Sequence, residues 1–155
     1  VVAPARPTAP AVPSTPKEVF AARAGSVVVV QVRQSIGSDH PLSALIGDGE
    51  VEGHGSGFIV DGGLVVTNHH VIEGAETCEI YFPEFVAGRL NTDPATSLDP
   101  ARALRARVVD SDQTLDLALL QIEDPLPKGA LALELADESA TPGQRIHSLA
   151  GSTVG

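Results

Sequence analysis

The sequence predicts an all-β fold: a single six- to eight-stranded antiparallel Greek-key barrel with a short helix near its N-terminus. Three observations predict it. Short runs rich in Val, Ile and Leu recur at 26–33, 56–60, 63–67, 78–82, 103–109, 116–122, 131–135 and 144–149, and β-branched stretches of this length fit a pleated, half-buried wall. Gly, Pro, Asp and Asn punctuate the gaps between them, a pattern of successive strands rather than of strands alternating with helices. The available core filler is small, with four Phe, one Tyr and no Trp or Met, so many short strands must build the interior.

The elements follow in order. Residues 1–16 hold five prolines among Ala, Val, Thr and Ser; such a stretch favours extended, polyproline-like backbone and is read as a disordered linker ahead of one domain over 17–155. Thr15 offers an N-cap, Pro16 the first helical position, Glu18 a first-turn carboxylate and Gly25 a stop, which predicts a helix from Pro16 to about Ala24. Ser26 to Arg33 begins continuously apolar and then alternates, as does a strand entering a barrel wall. Cys78 to Phe82 and Leu104 to Val108 alternate throughout, the mark of a half-buried strand. Two stretches, Ile36 to Gly53 and Pro83 to about Pro100, are too long and irregular for tight turns and are read as surface loops.

Composition narrows the function. With 155 residues the chain has the length of one ordinary domain, able to bury roughly 68–70% of its unfolded surface. Ten Lys plus Arg against twenty Asp plus Glu give a net charge of −10, which argues against nucleic acid and anionic lipid as partners. No apolar run approaches the roughly 18–20 residues that span a bilayer, and no basic stretch leads into an apolar one as in a signal peptide. Cys78 is the single cysteine, so no intrachain disulfide is expected.

The chemistry-bearing residues cluster in a few motifs. His69 and His70 sit in Leu64-Val65-Val66-Thr67-Asn68-His69-His70-Val71-Ile72, and Asp116 opens Asp116-Leu117-Ala118-Leu119-Leu120. A histidine able to take a proton, with a carboxylate to orient it, is the base half of a Ser-His-Asp machine. Asp110 and Asp112 compete for the orienting role but are read as lying in a turn before the strand. Cys78 lies in an alternating strand, where a small buried hydrophobe is the default. A metal site built from His54, His69, His70 and Cys78 lacks recognised ligand spacing, and no cofactor is expected.

Gly55-Ser56-Gly57-Phe58-Ile59-Val60, then Leu64 to Ile72, then Ala106 to Asp112 leading into Asp116 to Leu120 resemble the first barrel of trypsin-like serine proteases, in the HtrA-like bacterial branch. The resemblance covers about residues 17–155. It implies that Thr-x-x-His-Val ends a core strand and presents imidazole at the barrel rim, so that His70 rather than His69 is the general base and Asp116 its orienting acid. It also implies that Gly55 and Gly57 begin a strand where a side chain would clash. Ser56 belongs to this structural element, and Ser152 falls where the family carries Gly-Asn-Pro-x-Gly between barrels. Neither has the Gly-Asn-Ser-Gly-Gly setting of the family's nucleophile, which is therefore expected outside the chain.

The implied protein is a serine endopeptidase acting on polypeptides and located outside the cytoplasm, with this chain giving His and Asp and a second barrel giving serine, oxyanion donors and specificity pocket. The alternative is a non-catalytic protease-like barrel that binds polypeptide. The departures from the family pattern are Val71 where animal trypsins have cysteine, a longer Pro83–Pro100 stretch, and Ser152-Thr153 in place of Asn-Pro.

Overall fold

A computed structural model describes residues 13–35 and 50–150; the linker expected over 1–12, most of the loop expected from Ile36, and Ser152 lie outside these residues. Helix α1 (Pro16–Arg23) starts where the capping residues dictate. The Glu18 amide donates to Thr15 Oγ1 at 3.2 Å, and the Thr15 amide to Glu18 Oε2 at 3.3 Å, a reciprocal box that satisfies two otherwise unpaired donors. One turn of 3₁₀ helix, Ala24–Ser26, then delivers the chain into the sheet.

Six strands close the barrel: β1 (Val27–Ser35), β2 (Glu50–Val60), β3 (Leu64–Thr67), β4 (Thr77–Tyr81), β7 (Leu104–Asp112) and β8 (Leu117–Ile122), in the order β1-β2-β3-β8-β7-β4 with β4 returning to β1. All pairings are antiparallel. β2 and β3 form a hairpin whose turn passes through Gly62 and Gly63 at φ 76° and 72°, a left-handed backbone that glycine adopts without steric cost.

Alternation decides what the barrel encloses. Val28, Val30 and Val32 of β1 are buried while Val27, Val29 and Gln31 are only partly so, and Ala118, Leu120 and Ile122 of β8 repeat the rule. With Ile59, Val65, Ile72, Cys78, Ile80 and Ala106 they form one contiguous core. Cys78 is a core residue, its thiol pushed up to about 12 by burial and then by Glu79, which removes it as a thiolate nucleophile. Leu120 has no exposed surface, so Leu120→Ala is expected to cost about 2–5 kcal/mol by lost transfer energy and residual cavity. Urea unfolding of the two chains measures it; a loss below about 1 kcal/mol would contradict this packing.

Three expectations are corrected. The runs 131–135 and 144–149 are not strands. The six strands close on one another, and beyond the Val27↔Phe58 pair β2 leaves only a short stretch of unpaired edge, too little to build a further strand. The amide of Leu133 donates to the carbonyl of Ile59 at 2.8 Å, and Leu131, Leu135 and Ile146 stay exposed. β2 starts at Glu50, earlier than expected, and pairs with β1 from Ser35↔Glu50 to Val27↔Phe58. The Pro83–Pro100 stretch is more ordered than its sequence suggests: β5 (Phe85–Val86) and β6 (Arg89–Leu90) form a hairpin, and Asp93 caps a helical turn over Pro94–Ser97. Arg102 ties this insertion down by donating to the carbonyls of Ser97 at 2.8 Å and Phe82 at 3.3 Å.

Candidate active site

The site is assembled where β3 ends. Thr67, buried, donates its hydroxyl to the carbonyl of Ser56 at 2.8 Å, fixing the strand end to β2. Asn68 keeps an extended backbone, and His69–Ile72 then make a single helical turn. Ile72 is sunk in the core and Val71 packs against it. Gly55 makes that seat possible, because a Cβ there would lie 2.5 Å from Val71 Cγ2. Gly57 is equally constrained: its Cβ would meet Val65 Cγ1 at 2.8 Å and the Val66 carbonyl at 3.0 Å. With Val71 and Ile72 anchored, His70 is left outward, its side chain 67% exposed.

The second half comes from the turn before β8. The register Thr67↔Ala118 sets the start of β8 beside the end of β3, so that Asp116, two residues ahead, reaches the histidine turn. Asp116 has φ 52°, a left-handed conformation tolerated by aspartate better than by most side-chain-bearing residues. Asp112 shapes the turn, its Oδ1 accepting the amides of Thr114 at 2.8 Å and Leu115 at 3.0 Å. Asp110 and Asp112 belong to the end of β7 rather than to a turn; the Asp110 carboxylate accepts the amide of its strand neighbour Ser111, and that of Asp112 accepts the amide of Thr114 in the turn that follows.

One carboxylate and one histidine are joined by two bonds. The His70 amide donates to Asp116 Oδ1 at 2.9 Å, and His70 Nδ1 lies 2.7 Å from Oδ2. An ionised carboxylate only accepts, so Nδ1 carries the proton in the neutral imidazole and Nε2 is left as the free base. Asn68 Nδ2 adds a bond of 3.0 Å to the main-chain carbonyl of Asp116. The bonds to Asp116 from this turn come from Asn68 and His70, while His69 has a buried Nδ1 without a partner among the described residues. The described residues bring no three His, Cys, Asp or Glu side chains together as a metal cage.

The geometry has an acid consequence. The backbone amide of His70, then its ring, hold the Asp116 carboxyl below the ordinary aspartate value. A depressed carboxyl contributes stability above the unfolded-state value and loses it as pH falls through the folded one. The Asp116 carboxyl carbon, followed by NMR, is expected to titrate below the ordinary aspartate value; a midpoint at or above that value would contradict the two-bond geometry.

Sequence reasoning named His70 and Asp116 but not Asn68. The one available signal, an amide side chain directly before the histidine pair, does not reveal a bond to a carbonyl far along the chain.

A barrel of this order, with Gly55 and Gly57 inside β2 and an imidazole bonded to a carboxylate at its rim, is that of the serine-protease class. The family model described as trypsin-like peptidase domain matches residues 55–153, and the chain belongs to that family, as a first barrel of its HtrA-like branch. It is similar to the periplasmic serine endoprotease DegP of Salmonella typhimurium (strain LT2), 35% identical over 88 residues, which are 56% of this chain and 15% of the relative. DegP of Escherichia coli K12 is 33% identical over 88 residues, with the same shares. The match thus spans about 15% of the length of these relatives.

Proposed function

We propose that this chain is the histidine- and aspartate-bearing half of a serine endopeptidase, with His70 as general base and Asp116 as the residue that orients it. The observation that carries the reading is the 2.7 Å contact between His70 Nδ1 and Asp116 Oδ2. It leaves Nε2 to take the proton of a serine hydroxyl as that oxygen attacks a peptide carbonyl, and to return it to the leaving amine. The nucleophile and the backbone donors for the oxyanion belong to a second barrel in this reading, and the substrate is polypeptide.

The surface near the site supports a docking role. Val66, Leu115, Leu117 and Leu119 line a groove together with Asp110, Ser111 and Asp112, and Leu115 is 66% exposed. An apolar face at the rim is what a second lobe would cover. Extracytoplasmic placement rests on the periplasmic relatives. Among the described residues no helix is long and apolar enough to cross a membrane.

Acyl transfer without a positioned nucleophile and oxyanion donors loses its largest stabilising terms. The pure 155-residue chain is therefore expected to leave casein intact, while the longer protein containing it cleaves casein and is blocked by a serine-directed reagent. Steady cleavage by the chain alone, blocked by the same reagent, would overturn the division of labour. A longer protein that binds casein without cutting it would mark the non-catalytic alternative.

A further inference from the structure

We infer that Asn68 is a positioning residue for the histidine–aspartate pair, holding Asp116 in its left-handed backbone conformation so that both carboxylate oxygens face His70. The inference rests on the reading of His70 and Asp116 as base and orienter.

Three facts carry it. Asn68 occupies the N-cap position of the His69–Ile72 turn, yet its side chain makes no capping bond. That is unusual use of a residue whose ordinary value at this position is to accept an amide of the following turn. The amide instead crosses to the far segment and donates to the Asp116 carbonyl at 3.0 Å. Asp116 is one of two described non-glycine residues with positive φ, a backbone state that persists only where surroundings impose it.

The three bonds form a clamp around one residue. Asn68 Nδ2 fixes the main-chain oxygen of Asp116, the His70 amide fixes Oδ1, and the His70 ring meets Oδ2 at 2.7 Å. The Asp116 amide adds only a long bond of 3.4 Å to the Gln113 carbonyl. Asp116 and His70 are substantially exposed, 45% and 67% by side chain, so packing does little to hold them. Without Asn68 the Asp116 carbonyl loses its side-chain donor, and the left-handed backbone that aims the carboxylate at His70 is held by fewer bonds. The barrel thus pre-aligns its half of the machinery before a second lobe contributes anything, the kind of rigid support that small displacements at a reacting centre require.

The test separates this role from simple helix capping. Asn68→Ser and Asn68→Asp both place a good cap at the start of the turn; serine is too short to reach the Asp116 carbonyl, and aspartate has no proton to give it. In the 155-residue chain, the low-field proton NMR signal of the His70 Nδ1–H···Asp116 bond is expected in the wild type and expected to be weakened or lost in both variants, with amide dispersion elsewhere kept. In the longer protein, both variants are expected to lower kcat about tenfold with KM nearly unchanged, and Asn68→Gln, which retains the amide, to recover part of it. Retention of the low-field proton in both variants would overturn the inference, since Asn68 would then act as a cap or not at all. The NMR arm needs no catalysis: a longer protein without peptidase activity would sink the proposed function, whereas the positioning role would still stand or fall on the proton signal.

Discussion

Replacing His70 by alanine is expected to lower peptide-bond hydrolysis by the longer protein on the order of 10⁴-fold or more, with little change in stability. The two halves of that expectation come from different parts of the structure. His70 points outward with most of its side chain exposed, while its neighbours Val71 and Ile72 hold the turn in the barrel; its removal opens no cavity. The lost ring–carboxylate hydrogen bond is exposed, and such exposed contacts contribute at most about 1 kcal/mol. The chemical loss is far larger, because serine oxygen is a poor nucleophile until a base removes its proton in the transition state. Urea unfolding and casein turnover on the same preparation distinguish the effects. A variant that keeps more than a tenth of the activity would show that His70 is not the base. His69→Ala is expected to be tolerated, since His69 makes no bond to Asp116; the reverse pattern would mean that the wrong histidine had been assigned.

Asp116→Asn is expected to cost about 10⁴-fold in kcat while preserving the shape of the site. The reason lies in the two bonds His70 makes to the carboxylate. The backbone amide of His70 can only donate, so it claims the one oxygen of the new amide side chain. The NH₂ group is then left facing the ring, and Nδ1 must become an acceptor. The ring proton moves to Nε2, the atom that should receive the serine proton, and the base is blocked by its own tautomer. KM is expected to change little, because substrate does not depend on this bond for its position. A variant within tenfold of wild-type kcat would mean that Asp116 does not set the tautomer.

How far the sequence carried is clear from particular residues. The β-branched run from Ser26 to Arg33 announced a wall strand because such side chains suit β backbone locally, and Thr15 with Glu18 announced α1 because capping is local too. His70 and Asp116 were legible only through their flanks and the family resemblance. The runs 131–135 and 144–149 misled because a strand needs a partner edge, and whether the ring has already closed is a property of the whole fold. Ala87 with Gly88 at φ 49° and 75° turns the β5–β6 hairpin, but alanine is not a residue that flags a left-handed turn. Asn68 was invisible for a related reason: its acceptor is brought close by the β3–β8 register, which no local pattern encodes.

The most direct measurement of the central claim is the rate at which a fluorophosphonate, which captures only an activated serine, labels the longer protein and its His70→Ala and Asp116→Asn variants. A base at Nε2 of His70 predicts rapid labelling of a single serine outside residues 1–155 in the wild type, and labelling slowed by orders of magnitude in both variants. Equal labelling of all three proteins, or attachment to Ser56, would contradict it.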